Sequence, residues 1–250
     1  MLALIERFGF LYVANVAVWW IVSGFVWSLG RLFRSAAIAR KVEPEHAPPA
    51  ETRQGVVYTL TRSLVALTAV QTIILSLLPA APEGGPVRPL AIVLEVLAGM
   101  VVFDLAFYVS HRLLHTRWLW PLHEVHHRYR LVSFWVRNTE HVGQVFVVAL
   151  FAAPVSLILA DPEATIVYFL LSTSWNVIQH SGVEVFPRWP WVARVFVTST
   201  HHSMHHTEVD CNFGYFFNFW DQVFGTLHPD YRAKFLRESE AAAAPASATR

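Results

Sequence analysis

Apolar residues fall into five runs along the chain, separated by polar, proline-containing segments. The runs cover about 8–30, 63–80, 89–110, 142–160 and 164–179. A helix needs roughly 20 apolar residues to cross a hydrocarbon core of ~30 Å. The first four runs meet that length or nearly do, and the fifth is short. The pattern predicts an all-α fold, a polytopic membrane bundle of about four or five transmembrane helices. The first run has no basic stretch before it and no small-residue cleavage site after it. It therefore reads as a retained helix and not as a signal peptide.

Composition supports the membrane reading. The chain is 54% hydrophobic and 15% charged, against about 25% charged in ordinary soluble domains. A net charge of +1 offers no electrostatic case for nucleic acid. Cys211 is the only cysteine, which excludes an intrachain disulfide and a multi-cysteine metal site. Lys and Arg concentrate in 31–62, in 111–141 and after 180, while the intervening loops carry Arg88 and little else. Five crossings with the N-terminus outside put all three basic segments on the cytoplasmic side. Two polar segments complete the outline. "KVEPEHAPPAETRQ" reads as a cytoplasmic linker containing a solvated His46, and the Ala-rich end as a disordered tail.

Histidine is the anomaly: there are 13, and 12 of them lie between 111 and 228. His111 and His115, in "HRLLH", are i, i+4 and share a helix face where the third run leaves the membrane. His123, His126 and His127, in "HEVHH", place three imidazoles within little more than one turn of what reads as a single face. His202, His205 and His206, in "HHSMHH", repeat that spacing. His201 falls off it and reads as a surface or supporting histidine. His180 emerges from the fifth run at the same boundary, whereas His141 and His228 carry weaker signals. Charge had already placed all these segments on one side of the membrane, so sequence-distant imidazoles are expected to converge there. A tetrahedral site uses about four ligands, so eight or more suggest two metal ions. Asp104 lies within an apolar span, two turns before His111. It is expected to accept the far ring N–H of a ligand histidine and so fix its tautomer.

These motifs resemble the fatty acid hydroxylase/sterol desaturase superfamily of membrane oxygenases. "DLAFYVSHRLLH", "HEVHHRY", "QHSG" and "THHSMHHTEVDCNFGYFFNFWDQVFGT" carry the likeness, over roughly 95–228. The resemblance implies two non-haem irons held at the cytosolic face of a helical bundle by His111, His115, His123, His126, His127, His202, His205 and His206, with His180 matching less firmly. Asp104, Asn212, Gly214, Trp220, Asp221, Gly225 and Thr226 match accompanying positions. O₂ is the implied co-substrate, and hydroxylation or desaturation of a lipid, sterol or other lipophilic substrate from the bilayer the implied reaction. Domain organisation then reads as N-terminal transmembrane helices and linker (1–94), a fatty acid hydroxylase-like catalytic domain with its cytoplasmic helical cap (95–230), and a tail (231–250).

Activating O₂ needs a redox metal. Zinc has no accessible redox change, whereas imidazole suits iron. No Gly-rich dinucleotide fingerprint is present, so a separate electron donor of reductase, cytochrome or ferredoxin type is implied. Arg128, Arg130 and Arg137 are candidates for docking it, although ordinary positive-inside topology explains them as well. Ala- and Arg-rich usage points weakly to a bacterial inner membrane. Two rival readings remain. His123, Glu124 and His127 also spell the zinc-protease helix H-E-x-x-H, with Glu124 as general base. The histidines would also suit a non-enzymatic metal transporter or sensor.

Overall fold

The computed structural model describes residues 2–34, 40–41, 49–77, 88–128, 137–184, 186, 189 and 191–236. Among them the architecture is helical, apart from one antiparallel pairing of β1 (Arg40–Lys41) with β2 (Val183–Glu184). Helix α1 spans Leu2–Arg34. Helix α2 (Pro49–Tyr58) begins inside the segment expected to be linker and passes through a π turn, Thr59–Ser63, into α3 (Leu64–Leu77). The rest of that linker, including His46, lies outside the described residues.

Helix α4 runs from Pro89 to Leu114, with proline in the first turn, where its missing N–H costs nothing. Short α5 (Trp120–His127) follows. The fourth apolar run is two helices, α6 (Val142–Ala152) and α7 (Val155–Ile158). Pro154 has no N–H to donate and its ring crowds the preceding turn, which ends α6 early. Helix α8 (Pro162–Gln179) is the fifth run. Among the described residues, three helical stretches are long and apolar enough to cross a membrane: Leu2–Ser28, Thr52–Ile74 and Pro89–Leu114. The expected fourth and fifth spans do not qualify by length and hydropathy alone. They nevertheless run beside α4 for its length. Gln144 near the start of α6 bonds His123, whereas Asp161 between α7 and α8 pairs with Arg88 at the start of α4, at 2.7 Å. The chain thus travels away from the histidines and returns to them.

Helix α1 packs on α3 and α8, and α4 on α6 and α8. Phe10, Ile21 and Phe25 of α1 and Leu90, Leu94 and Val101 of α4 point outward, exposed. An apolar surface of that extent is what a bilayer covers. Helices α9 (Val192–Val195), α10 (Ser199–Glu208) and α11 (Phe219–Val223) form the cap at the histidine end. Part of the segment expected to be tail, from 231, is folded. Residues 231–236 are helical, and Tyr231 and Phe235 are fully buried against Ala193 and Met204 of the cap. Two aromatic side chains four residues apart on one helix face have a core to fill there. Residues 237–250 lie outside the described residues.

Candidate metal centre

Four helices deliver nine imidazoles to one buried place, in two groups. His111, His115, His123, His127 and His205 form the first; His126, His180, His202 and His206 form the second. Within each group the candidate ligand atoms lie within 4.8 Å of one another. These are the nine histidines expected from the sequence.

The H-x-x-H-H triplets divide differently from the single face expected of them. At 3.6 residues per turn, positions i and i+4 stand about 40° apart around the axis, while i+3 lies about 60° to the other side of i. Each triplet accordingly sends i and i+4 to one group and i+3 to the other. Helix α5 gives His123 and His127 to the first group and His126 to the second. Helix α10 does the reverse, with His202 and His206 in the second and His205 in the first. His111 and His115 from the end of α4 complete one group, and His180 after α8 the other.

Ring orientation is set from outside. His111 Nδ1–H donates to the Phe213 carbonyl (3.0 Å), His205 Nδ1–H to the Cys211 carbonyl (2.7 Å), and His180 Nδ1–H to the Asn176 carbonyl (2.9 Å). His123 Nδ1–H donates to Gln144 Oε1 at 2.7 Å. A neutral imidazole that donates from Nδ1 presents a bare lone pair at Nε2. The Nε2 atoms of His111 and His123 face each other at 3.1 Å, and those of His202 and His180 at 2.9 Å. In the first pair both Nδ1 atoms donate elsewhere, so two lone pairs face each other and repel at that distance unless a cation takes both. Burial, reinforced by neighbouring imidazoles, holds His126, His202, His205 and His206 well below the ordinary histidine range. Burial takes His123 down to about 4 and His180 to about 3, each partly offset by its hydrogen bond. All are neutral at physiological pH, the form that ligates metal. This donor set fits a pair of nitrogen-ligated transition ions.

The loop after α10 supports the rings. Asp221 is fully buried and accepts from His201 Nε2 (3.2 Å), Phe213 N (2.8 Å), Gly214 N (2.9 Å) and Thr226 Oγ1 (2.7 Å). Burial alone would raise its pKa. The bonds from His201, Thr226 and Phe213 outweigh that and lower it. A Cβ at position 214 would meet the Phe217 carbonyl at 2.5 Å, so only glycine fits there. His201 is therefore no surface histidine. It bonds Asp221 and stands outside both groups.

Asp104 is not where it was expected. Its Oδ1 accepts the backbone N–H groups of Tyr215 (3.3 Å), Phe216 (2.6 Å) and Phe217 (3.1 Å), and no histidine donates to it. Among the described residues its Oδ2 has no partner. It organises the same loop as Asp221, from the membrane side. Glu124 of the protease spelling is exposed, on the far side of α5 from His123, His126 and His127. His141 caps α6, accepting from Gly143 N, and His228 pairs with Glu208. Of the basic residues proposed for docking a donor, Arg128 is exposed and Arg130 lies outside the described residues. Arg137 is 5% exposed and cannot meet a protein partner. Gln144 and the carbonyls of Cys211, Phe213 and Asn176 carry no signal in the sequence. A glutamine looks ordinary on α6, and any residue has a carbonyl.

A cavity of about 390 Å³ adjoins the centre between α1, α3, α4, α6 and α8. Phe103, Phe107, Leu67, Val145 and Tyr215 give it an apolar wall. Phe107 also packs on His111, with ring centroids 5.0 Å apart.

Comparison with known proteins places these features. The fatty acid hydroxylase family model matches residues 96–226, more than half of the chain. A cholesterol 25-hydroxylase-like protein of Danio rerio is 30% identical over 56% of this chain and 57% of its own. Cholesterol 25-hydroxylase of Homo sapiens is 29% identical over 53% and 51%, and ornithine lipid hydroxylase OlsE of Rhizobium tropici 28% over 54% and 42%. This chain thus spans about half the length of the curated relatives it matches. No solved structure matches it. The chain belongs to the fatty acid hydroxylase family.

Proposed function

We propose that this family member is a membrane-bound, O₂-dependent oxidoreductase that hydroxylates or desaturates a lipophilic substrate, with two non-haem irons held by the nine histidines. His111, His115, His123, His127 and His205 hold one, and His126, His180, His202 and His206 the other. The observation that carries this reading is the convergence of nine buried imidazoles into two adjacent groups, with the rings of His111, His123, His205 and His180 fixed by Nδ1–H bonds to Phe213, Gln144, Cys211 and Asn176 so that each turns a bare Nε2 inward. Iron bound there supplies the redox change and Lewis acidity that O₂ activation requires. The chain's own part is to keep the imidazoles neutral, hold their tautomers, and exclude water with the aromatic wall of the adjoining chamber. The centre faces the cytoplasm in a bacterial inner membrane, and a separate reductase, cytochrome or ferredoxin supplies the electrons.

Relatives named for hydroxylating cholesterol and ornithine lipid support a lipophilic substrate. The protease reading finds no support, since Glu124 points away from the imidazoles and seven further histidines would be left without a role. A transporter needs ligands along a path through the bilayer, and these sit at one end of the bundle. The test is lipid profiling of cells with and without the gene under heavy-oxygen-labelled O₂, alongside metal analysis of the purified protein. About two irons per chain and a lipid product carrying the label establish hydroxylation, and a new double bond without label establishes desaturation. Zinc in place of iron, with no lipid changed, overturns the proposal.

A further inference from the structure

The inner end of the chamber carries a group that neither the metal centre nor the membrane explains. Arg137 lines the cavity and is 5% exposed. Its Nη1 donates to Asn176 Oδ1 at 2.7 Å, while its Nε–H, also buried, has no acceptor among the described residues. No carboxylate there lies within ion-pair distance of it. Burying a guanidinium donor without an acceptor is unfavourable, more so because the group is charged. Burial pulls this group down to about 10, which still leaves it charged at neutral pH. The segment bearing it is held firmly. Ser63, in the π turn before α3, donates to the Glu140 carbonyl (2.8 Å) and accepts from Glu140 N (3.0 Å), and Thr59 bonds Thr139.

Arg137 sits beside the centre. The residue it bonds, Asn176, is the one whose backbone carbonyl orients His180. From there the chamber runs along one face of α6, where Val145, Val148, Ala149 and Ala152 stand at i, i+3, i+4 and i+7. That face extends about 10 Å at ~1.5 Å rise per residue. The small residues at its far end, Ala149 and Ala152, leave room beside an apolar wall. Glu140 lines the inner end too, so an acid stands near the guanidinium and the mouth is not simply cationic. The shape is a donor at one end and a hydrocarbon slot leading away from it.

Resting on the oxygenase reading, the geometry points to Arg137 as the specificity residue that anchors the acyl carbonyl oxygen of a chain-like lipid, with the hydrocarbon laid along α6. An arginine only donates, so the substrate must bring an acceptor, which a carboxylate, an ester and an amide all share. The carbon presented to the metal centre then lies near the carbonyl and not at the distal end of the chain.

Saturation binding of radiolabelled palmitic acid, methyl palmitate and hexadecane to the purified full chain in lipid nanodiscs tests this. The wild type is expected to bind at least one acyl probe ten-fold or more tightly than hexadecane. The tighter of the two tells free acid from ester. Arg137→Met should reduce that preference to three-fold or less while leaving hexadecane binding unchanged, which also shows the variant folded. Arg137→Lys keeps a donor and should fall between them. A wild type that does not prefer either acyl probe overturns the inference, whatever the variants do. So does a preference that survives in Arg137→Met, or cholesterol displacing the acyl probe as well as methyl palmitate does. Acyl preference with no oxidation of any lipid would leave the anchor standing and sink the oxygenase reading. Oxidation confined to the distal end of an acyl chain would do the opposite.

Discussion

Asp221→Asn tests whether the loop after α10 holds the metal centre or merely covers it. The carboxylate accepts four hydrogen bonds, two at Oδ1 from Phe213 N and Thr226 Oγ1 and two at Oδ2 from Gly214 N and His201 Nε2. An asparagine of the same shape keeps the first two and turns an N–H₂ toward the second two, both donors. Each buried donor left without an acceptor costs about 1–3 kcal/mol, a range of roughly 2–6 kcal/mol. The lower half is expected, because His201 Nδ1 also has no partner among the described residues. The ring can move its proton there and accept the new amide at Nε2. A loss of about 2–4 kcal/mol leaves a typical domain folded. It does not leave the loop in place. The Gly214 N–H that loses its acceptor follows directly on Phe213, whose carbonyl orients His111, and the Cys211 carbonyl two residues before Phe213 orients His205. Losing such outer support typically costs 10–100-fold in metal affinity. Thermal melting together with iron per chain after dialysis against a graded chelator measures both. The expectation is a lowered melting temperature and iron lost at a chelator concentration ten-fold or more below that for the wild type. Wild-type melting with wild-type iron retention would refute the argument. Lower stability with iron fully retained would reduce Asp221 to a structural residue.

Other variants separate the remaining roles. Glu124→Ala, on the exposed side of α5, should change stability by less than about 0.5 kcal/mol and leave iron content and lipid oxidation intact; loss of activity would revive the protease spelling. Asp104→Asn should be tolerated within about 1 kcal/mol, because Oδ1 alone accepts the three backbone N–H groups. Asp104→Ala removes the one acceptor of all three and should cost about 3 kcal/mol or more by chemical or thermal unfolding. Burial raises the Glu140 carboxyl to about 7. The folded state therefore keeps a proton that the unfolded chain gives up above about 4.5, and stability falls as pH rises between those values. Glu140→Gln should accordingly melt higher than wild type at pH 8, by the equivalent of about 3 kcal/mol, with the difference gone below pH 4.5. A constant difference across that range would show that the carboxyl is ionised throughout.

The helices were legible where the apolar period was long. Residues 89–114 read as one span and fold as one helix. The run at 142–160 read as a span because hydropathy averages over Pro154, while the backbone does not. The tail boundary erred for a related reason. Composition at 237–250 is low in complexity, and the reading extended it back across Tyr231 and Phe235, whose burial depends on Ala193 and Met204 nearly thirty residues or more upstream. Asp104 was legible as a residue and not as a role. A carboxylate in an apolar span needs donors, and the sequence offers no means of telling a ring N–H from three backbone N–H groups more than a hundred positions away.

The histidines show why a cluster can be read when its partition cannot. Spacing fixes which imidazoles leave one side of a helix; it points to eight of the nine grouped rings, and His180 enters by its place at the end of the fifth run. Which group each joins depends on how two helices face one another. Positions i and i+4 stand close enough around the axis to serve one ion, while i+3 leans the other way. A single H-x-x-H-H helix therefore straddles two centres and completes neither. A second such helix, facing the first with the assignment reversed, supplies two rings where the first supplies one. Each group then gains three imidazoles from the pair and is filled from elsewhere, by His111 and His115 or by His180. The duplicated motif is thus the minimum that lets two adjacent ions share two helices, and this argues for two metals on geometry alone. Removing a ring from the group of four should act differently from removing one from the group of five. Loss of His126 leaves its group with the three rings of His180, His202 and His206, while loss of His123 leaves the first group with four. His126→Ala is therefore expected to release about one iron per chain at a chelator concentration His123→Ala withstands. Equal loss from both variants would mean the two groups do not bind separate ions.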